Sequence, residues 1–235
     1  MRQRDELAHY ATQFSTVELN NPFYRLPEPE TFDRWRDAVP EGFVFAVKAS
    51  RYITHVRRLR DAVEPLALLL DRALRLGPQL GPVLFQLPPT FEVDRDLLRN
   101  FIGSLPADHR WVIEFRHPTW HTAEVYEELG ARGVALCIPV GGRVHPDPVT
   151  TASFAYIRMH AGEGAGGAFT RDQLELWAGR LRALGRAGKD CYVYFNNDRG
   201  GHAPRDARSL LDLLEPVPRG QTQAPTARKT PRWAP

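Results

Sequence analysis

The sequence predicts a single α/β domain, a (β/α) barrel with an open doubly wound sheet as the other architecture that fits, and three observations predict it. Short apolar strands alternate with amphipathic helices through nearly the whole chain, which calls for a mostly parallel sheet. The 235 residues match the length of one such domain. Six strands turn polar on one face toward their C-terminal ends, where parallel α/β folds gather their chemistry.

The elements follow in order. Residues 4–14 have helical spacing through Leu7, Tyr10, Ala11 and Phe14, and Ser15–Asn20 reads as the first strand. Pro29–Ala38 is a helix with proline in its first turn, and Phe43–Ala49 is a strand. Ala62–Leu76 is a strongly apolar helix stopped by Gly77-Pro78, and Val83–Leu87 is a strand stopped by Pro88-Pro89. Helices at Asp94–Ile102, Thr122–Arg132, Arg171–Arg186 and Pro204–Leu214 alternate with strands at Trp111–Arg116, Val134–Ile138, Phe154–His160 and Cys191–Asn196. That makes seven strands, and the chain opens on a helix where a barrel would open on a strand.

Strand side chains alternate between faces. One phase carries Glu18 and Asn20, then Lys48, Gln86, Glu114 with Arg116, Arg158 with His160, and Asn196; the opposite phase is apolar. A strand buried on both faces would be apolar throughout, and a lone buried charge costs several kcal/mol, so six strands in one phase predict a shared polar pocket. The adjoining loops add Tyr24, Arg25, Thr54, His55, His117, Trp120, Asn197 and Asp198. The strand Val134–Ile138 contributes nothing polar to it.

At these residues the chain resembles the YecE-like family (domain of unknown function 72, DUF72). The matching stretches are FSTVELNNPFYRLP (14–27), FVFAVKASRYITH (43–55), LGPVLFQLPPTF (80–91), IEFRHPTW (113–120), YIRMHAG (156–162) and VYFNND (193–198). The resemblance implies a TIM-type barrel and no established activity. Two departures stand out. Family members open with a strand bearing a Gly-Thr-Ser-Gly-Trp-like segment that this chain lacks, so a barrel without its N-terminal first strand is expected. The family's His-Gly is His160-Ala161-Gly162 here, followed by a Gly-rich loop to Gly167 whose amides are candidates for cradling phosphate.

The leading functional expectation is an enzyme acting on a small anionic or polyhydroxylated substrate, a hydrolase or isomerase in reaction class. Lys48, Arg116 and Arg158 would clamp the anion, and Glu18 and Glu114, or His55 and His160, would supply acid and base. Asn20, Tyr24, Gln86, Trp120, Asn196, Asn197 and Asp198 would line the substrate. No cofactor is expected; a divalent metal on Glu18, Glu114, His160 and Asp198 is the alternative, weakened by the three cations beside it. A second alternative is a non-catalytic metabolite- or nucleic-acid-binding protein, with Arg57, Arg58 and Arg60 steering an anion.

Composition narrows the setting. Hydrophobic residues make up 43% and charged residues 25%, enough for a core and ordinary for a globular domain. Residues 1–215 form that domain. Residues 216–235 are rich in Pro, Thr and Gln, carry Arg219, Arg228, Lys229 and Arg232 with no acid, and read as a disordered tail. The net charge of +3 therefore sits in the tail, and the domain needs no basic nucleic-acid face. Cys137 and Cys191 read as buried thiols rather than a disulfide. With no long apolar run and no signal-peptide pattern at the start, no membrane association and a cytoplasmic location are expected.

Overall fold

The computed structural model describes residues 3–141 and 148–215. Seven parallel strands lie in chain order in one sheet: β1 (Thr16–Leu19), β2 (Val44–Lys48), β3 (Leu80–Gln86), β4 (Trp111–Glu114), β5 (Ala135–Val140), β6 (Phe154–Met159) and β7 (Asp190–Phe195). The sheet curls into a nearly closed TIM-type barrel. Helices α1 (Gln3–Ala11), α2 (Asn21–Tyr24), α3 (Pro29–Arg36), α4 (Val63–Ala73), α5 (Arg95–Gly103), α6 (Ala123–Ala131), α7 (Arg171–Arg186) and α8 (His202–Leu214) surround it. The tail at 216–235 lies outside the described residues.

No strand pairing closes β7 onto β1 among the described residues. Side chains bridge the seam instead: the hydroxyls of Thr16 and Tyr194 share a hydrogen bond of 2.8 Å, and Arg208 of α8 reaches Gln13 beyond α1 (2.6 Å to Oε1). A groove of about 770 Å³ runs along the seam, lined in part by Tyr10, Val17, Val193 and Leu210.

The apolar phase of the strands packs outward under the helices, with Phe45, Val47, Phe85 and Ile113 in one cluster and Ile157 and Met159 in another. The inward phase forms a packed interior of Ala46, Leu84, Val112, Ala135, Cys137, Phe154, Tyr156 and Tyr194. Like other small barrels, this one is filled rather than hollow. The charged groups Glu18, Lys48, Glu114 and Arg158 lie above that layer, toward the C-terminal strand ends.

Several boundaries move for local reasons. β3 starts at Leu80, ahead of the expected Val83, because Gly81 permits a close strand approach; a Cβ there would lie 2.4 Å from Val44 Cγ1. The apolar helix expected to run to Leu76 stops at Ala73 and tightens into a 3₁₀ segment, Leu74–Gln79, kinked at Gly77 (φ 57°). Helix starts follow their caps: Asp94 accepts from Leu97 N–H (3.0 Å), and Thr170 with Gln173 forms a capping box on α7. β5 extends to Val140, and its Cys137 faces the interior, with Sγ 3.8 Å from Glu114 Oε2. The expectation that this strand brings nothing polar inward is corrected on that point. Both cysteines are free thiols.

Candidate functional site

The centre of the site is Arg158, the penultimate residue of β6. Its side chain is 5% exposed, and its two Nη atoms each donate to a different carboxylate: Nη1 to Glu114 Oε2 and Nη2 to Glu18 Oε1, both at 2.7 Å. Glu18 takes a further bond from Tyr156 Oη (2.6 Å). The other oxygen of Glu114 pairs with Arg116 Nε and lies 3.7 Å from His160 Nε2. Arg116 Nη2 is 3.1 Å from that same ring nitrogen.

The electrostatics follow from the packing. Burial opposes ionisation of Glu114, but the neighbouring His160 and the charges of Arg158 and Arg116 outweigh it and hold its pKa well below the usual 4.5. Burial works against the Arg158 charge as well, and Glu114 and Glu18 hold its pKa up nonetheless. Glu114 therefore stays a carboxylate at neutral pH and is not a proton donor there. The linkage has a definite sign: the folded chain binds fewer protons than the unfolded chain below about pH 4.5, so this stability is full above that pH and is lost as pH falls through the folded value. The urea-midpoint difference between the native chain and Glu114→Gln is expected to stay constant from pH 7 to about pH 5 and to shrink as the pH falls below about 4.5.

Lys48 ends β2 in a different setting. It is 7% exposed, and its Nζ sits 3.9 Å from the centroid of the Phe23 ring. It makes no hydrogen bond or ion pair among the described residues. Burial, aided by the charge of Arg158, lowers its pKa to about 8. His55 packs edge-on against the same Phe23 ring, with centroids 5.1 Å apart, and bonds through Nδ1 to Thr54 Oγ1 (2.9 Å). Burial, then the charges of Lys48, Arg51 and Arg58, lower its pKa, so its ring is neutral. A single π-helical turn, Tyr52–Val56, places Thr54 and His55. The following turn holds Arg58, Leu59 and Asp61 at positive φ (48°, 67° and 46°), a strained path for residues with side chains.

The other expected residues divide. Asn20, Asn196 and Asp198 reach the seam groove beside Glu18, and Asn196 Oδ1 is buried there without a hydrogen-bond partner among the described residues. Gln86 is half-buried, its Nε2 donating to Leu87 O (3.2 Å). Tyr24 is 73% exposed, against the edge of Phe23.

Three expectations are corrected. Trp120 is fully buried, stacked on Phe115 with centroids 4.6 Å apart, its Nε1 donating to Phe91 O (2.6 Å); it is core, not substrate lining. Trp120→Ala is expected to cost about 3–5 kcal/mol in chemical denaturation. Arg158 has its Nη atoms committed to carboxylates and is not a free anion clamp. Asn197 is a brace, donating to Gly167 O (3.1 Å) and Asp206 Oδ2 (2.7 Å).

The Gly-rich loop folds on itself. The amides of Gly162, Gly164 and Gly167 donate to Gly167 O, Ala168 O and Gly164 O, and so are not free to cradle phosphate. Arg57 and Arg60 pair with Asp61 and Asp94 at 3.6 and 3.5 Å, and Arg58 donates to Thr90 Oγ1 (3.2 Å). Among the described residues no three His, Cys, Asp or Glu side chains form a metal-binding group, Glu18, Glu114, His160 and Asp198 included.

The profile of the family described as "Protein of unknown function DUF72" matches residues 1–231. The chain belongs to the DUF72 family. The UPF0759 protein YecE of Escherichia coli is 35% identical over 130 residues, 54% of this chain and 47% of the relative, so the chain spans about half the length of that relative. The UPF0759 protein YunF of Bacillus subtilis is 25% identical over 248 residues, 89% of this chain and 86% of the relative. Among solved structures, a DUF72 family protein from Thermotoga maritima superposes with a TM-score of 0.79 at 25% identity, covering 91% of this chain and 90% of that one. One from Enterococcus faecalis gives 0.79 at 21% identity, covering 88% and 87%. No helix among the described residues is long and apolar enough to cross a membrane.

Proposed function

We propose that this DUF72 barrel is an enzyme whose site takes a small anionic substrate on a positive surface formed by Arg116 and Lys48, beside His160. One observation carries the reading. Glu18 and Glu114 are held by Arg158 below, which leaves Arg116, 30% exposed at its side chain, and Lys48 as cations above a neutralised base. Two carboxylates against three cations leave one positive charge over. A charge in a partly desolvated site attracts an anion far more strongly than one in bulk water.

In this reading the glutamates change role. The Glu18–Arg158–Glu114 triad is the rigid scaffold that orients Arg116, and the proton-transfer groups are the two imidazoles, His55 and His160. A divalent metal is the less favoured alternative, because the oxygens that would hold it turn to Arg158 instead.

The test is calorimetric titration with inorganic phosphate and with a dicarboxylate, together with a turnover screen over phosphorylated and carboxylated small molecules. Saturable anion binding that weakens in Arg116→Ala, with turnover of at least one anion, is expected. Binding unchanged by Arg116→Ala would overturn the anion surface; Arg116-dependent binding with no turnover would reduce the protein to a metabolite-binding module.

A further inference from the structure

We infer that Lys48 is a nucleophilic amine, and that the anionic substrate carries an aldehyde or ketone carbonyl with which Lys48 forms an imine. The inference rests on the anion-binding reading and specifies the substrate of that same site.

The position of the amine carries it. Lys48 ends a barrel strand at the C-terminal mouth, beside the Glu18–Arg158–Glu114 triad whose charges act on it. Nearly every other charge of the site is tied: Arg158 to two carboxylates, Glu18 to Arg158 and Tyr156, Glu114 to Arg158 and Arg116. Lys48 Nζ lies on the face of Phe23 instead, away from any carboxylate within ion-pair reach among the described residues. A lysine placed to build a structural ion pair would have taken one of those oxygens. Burial and the Arg158 charge lower its pKa to about 8, so it is mainly a cation at pH 7 but keeps about a tenth of its population as free amine, the form that attacks carbonyls.

The choice of residue type points the same way. Only three of the chain's 31 Lys and Arg residues are lysines: Lys48, Lys189 and Lys229. The other 28 of the 31 are arginine, the better anion fork; a guanidinium stays protonated and cannot form an imine.

The chemistry balances with what the site holds. Neutral Nζ adds to the carbonyl carbon, forming the C–N bond, and the carbonyl oxygen takes up a proton. The C–O bond then breaks, and oxygen leaves as water with the two protons that nitrogen gives up. Arg116 would fix the substrate's carboxylate or phosphate. The neutral ring of His55, against the same Phe23, can carry protons between nitrogen and oxygen.

The test uses the full-length chain with glyoxylate or dihydroxyacetone phosphate as probe, sodium borohydride to reduce any imine to a stable secondary amine, and propionaldehyde as the uncharged control. Peptide mass mapping is expected to find one adduct per chain on Lys48, at least about tenfold above Lys189 and Lys229 at pH 7, since a lysine of lowered pKa holds more free amine. The adduct should vanish in Lys48→Arg and be competed by phosphate. Labelling spread evenly over the three lysines, or absent from Lys48, overturns the inference. If Lys48 is unlabelled while phosphate still titrates in an Arg116-dependent way, the imine falls and the anion site stands. If phosphate binding is also lost from the native chain, both fall. Lys48→Met, matched for folding by circular dichroism, should lose the adduct too; labelling retained in either variant also refutes the assignment.

Discussion

Arg158→Met is expected to destabilise the fold by about 3–5 kcal/mol, enough to leave many domains of this size partly unfolded. The reason lies in what remains. Arg158 is 5% exposed and its partners Glu18 and Glu114 are 3% and 0% exposed at their side chains, so its removal strands two carboxylates in the barrel. The cost is that of uncompensated buried charge rather than of two lost hydrogen bonds. A distinctive companion result follows: replacing all three together, Glu18→Leu, Glu114→Met and Arg158→Met, should recover most of the loss, because an apolar triad requires no desolvation of ions. Urea denaturation of the two variants measures both. If the single substitution costs under about 1 kcal/mol, the triad is solvated and the scaffold role is wrong.

Arg116→Ala is expected to weaken binding of inorganic phosphate by about ten- to a hundredfold, the worth of about 1.5–3 kcal/mol for hydrogen bonds to a charged group. Arg116 contacts Glu114 through Nε and His160 through Nη2 while its side chain remains 30% exposed, which leaves its Nη1 to meet an anion. Arg116→Lys preserves the charge without the fork and should recover only part of the affinity. The comparison distinguishes a shaped contact from a general positive field, for which lysine would serve equally well. Added salt should weaken both variants alike if the field dominates.

Much of this site was legible in the sequence because strands have a period of two. Glu18, Lys48, Glu114, Arg158 and Tyr156 share the inward phase that alternation assigned them, and the mouth is where the chain collects its charge. Roles were less legible than positions. Nothing in the local sequence says that Arg158 faces two glutamates from strands 140 and 44 residues away; that depends on barrel closure. Trp120 shows the opposite failure: the His-Pro-Thr-Trp stretch looks like a polar loop, yet its ring turns inward to stack on Phe115. Cys137 was overlooked because a thiol in an apolar run reads as packing. The π-turn at Tyr52–Val56, which brings His55 to the ring that carries Lys48, has no sequence signal, since its geometry answers to the contacts around it rather than to local propensity.

An anion site built on a neutralised triad at the barrel mouth should collect a heavy oxyanion. Crystals grown without sulfate or phosphate and soaked in selenate test it most directly, because anomalous scattering locates selenium independently of the refined coordinates. The strongest peak is expected at the mouth, within hydrogen-bond reach of Arg116 and beside Lys48, with no such peak in Arg116→Ala crystals. Peaks confined to surface arginines such as Arg57 and Arg60, with the mouth empty at saturating selenate, would contradict it.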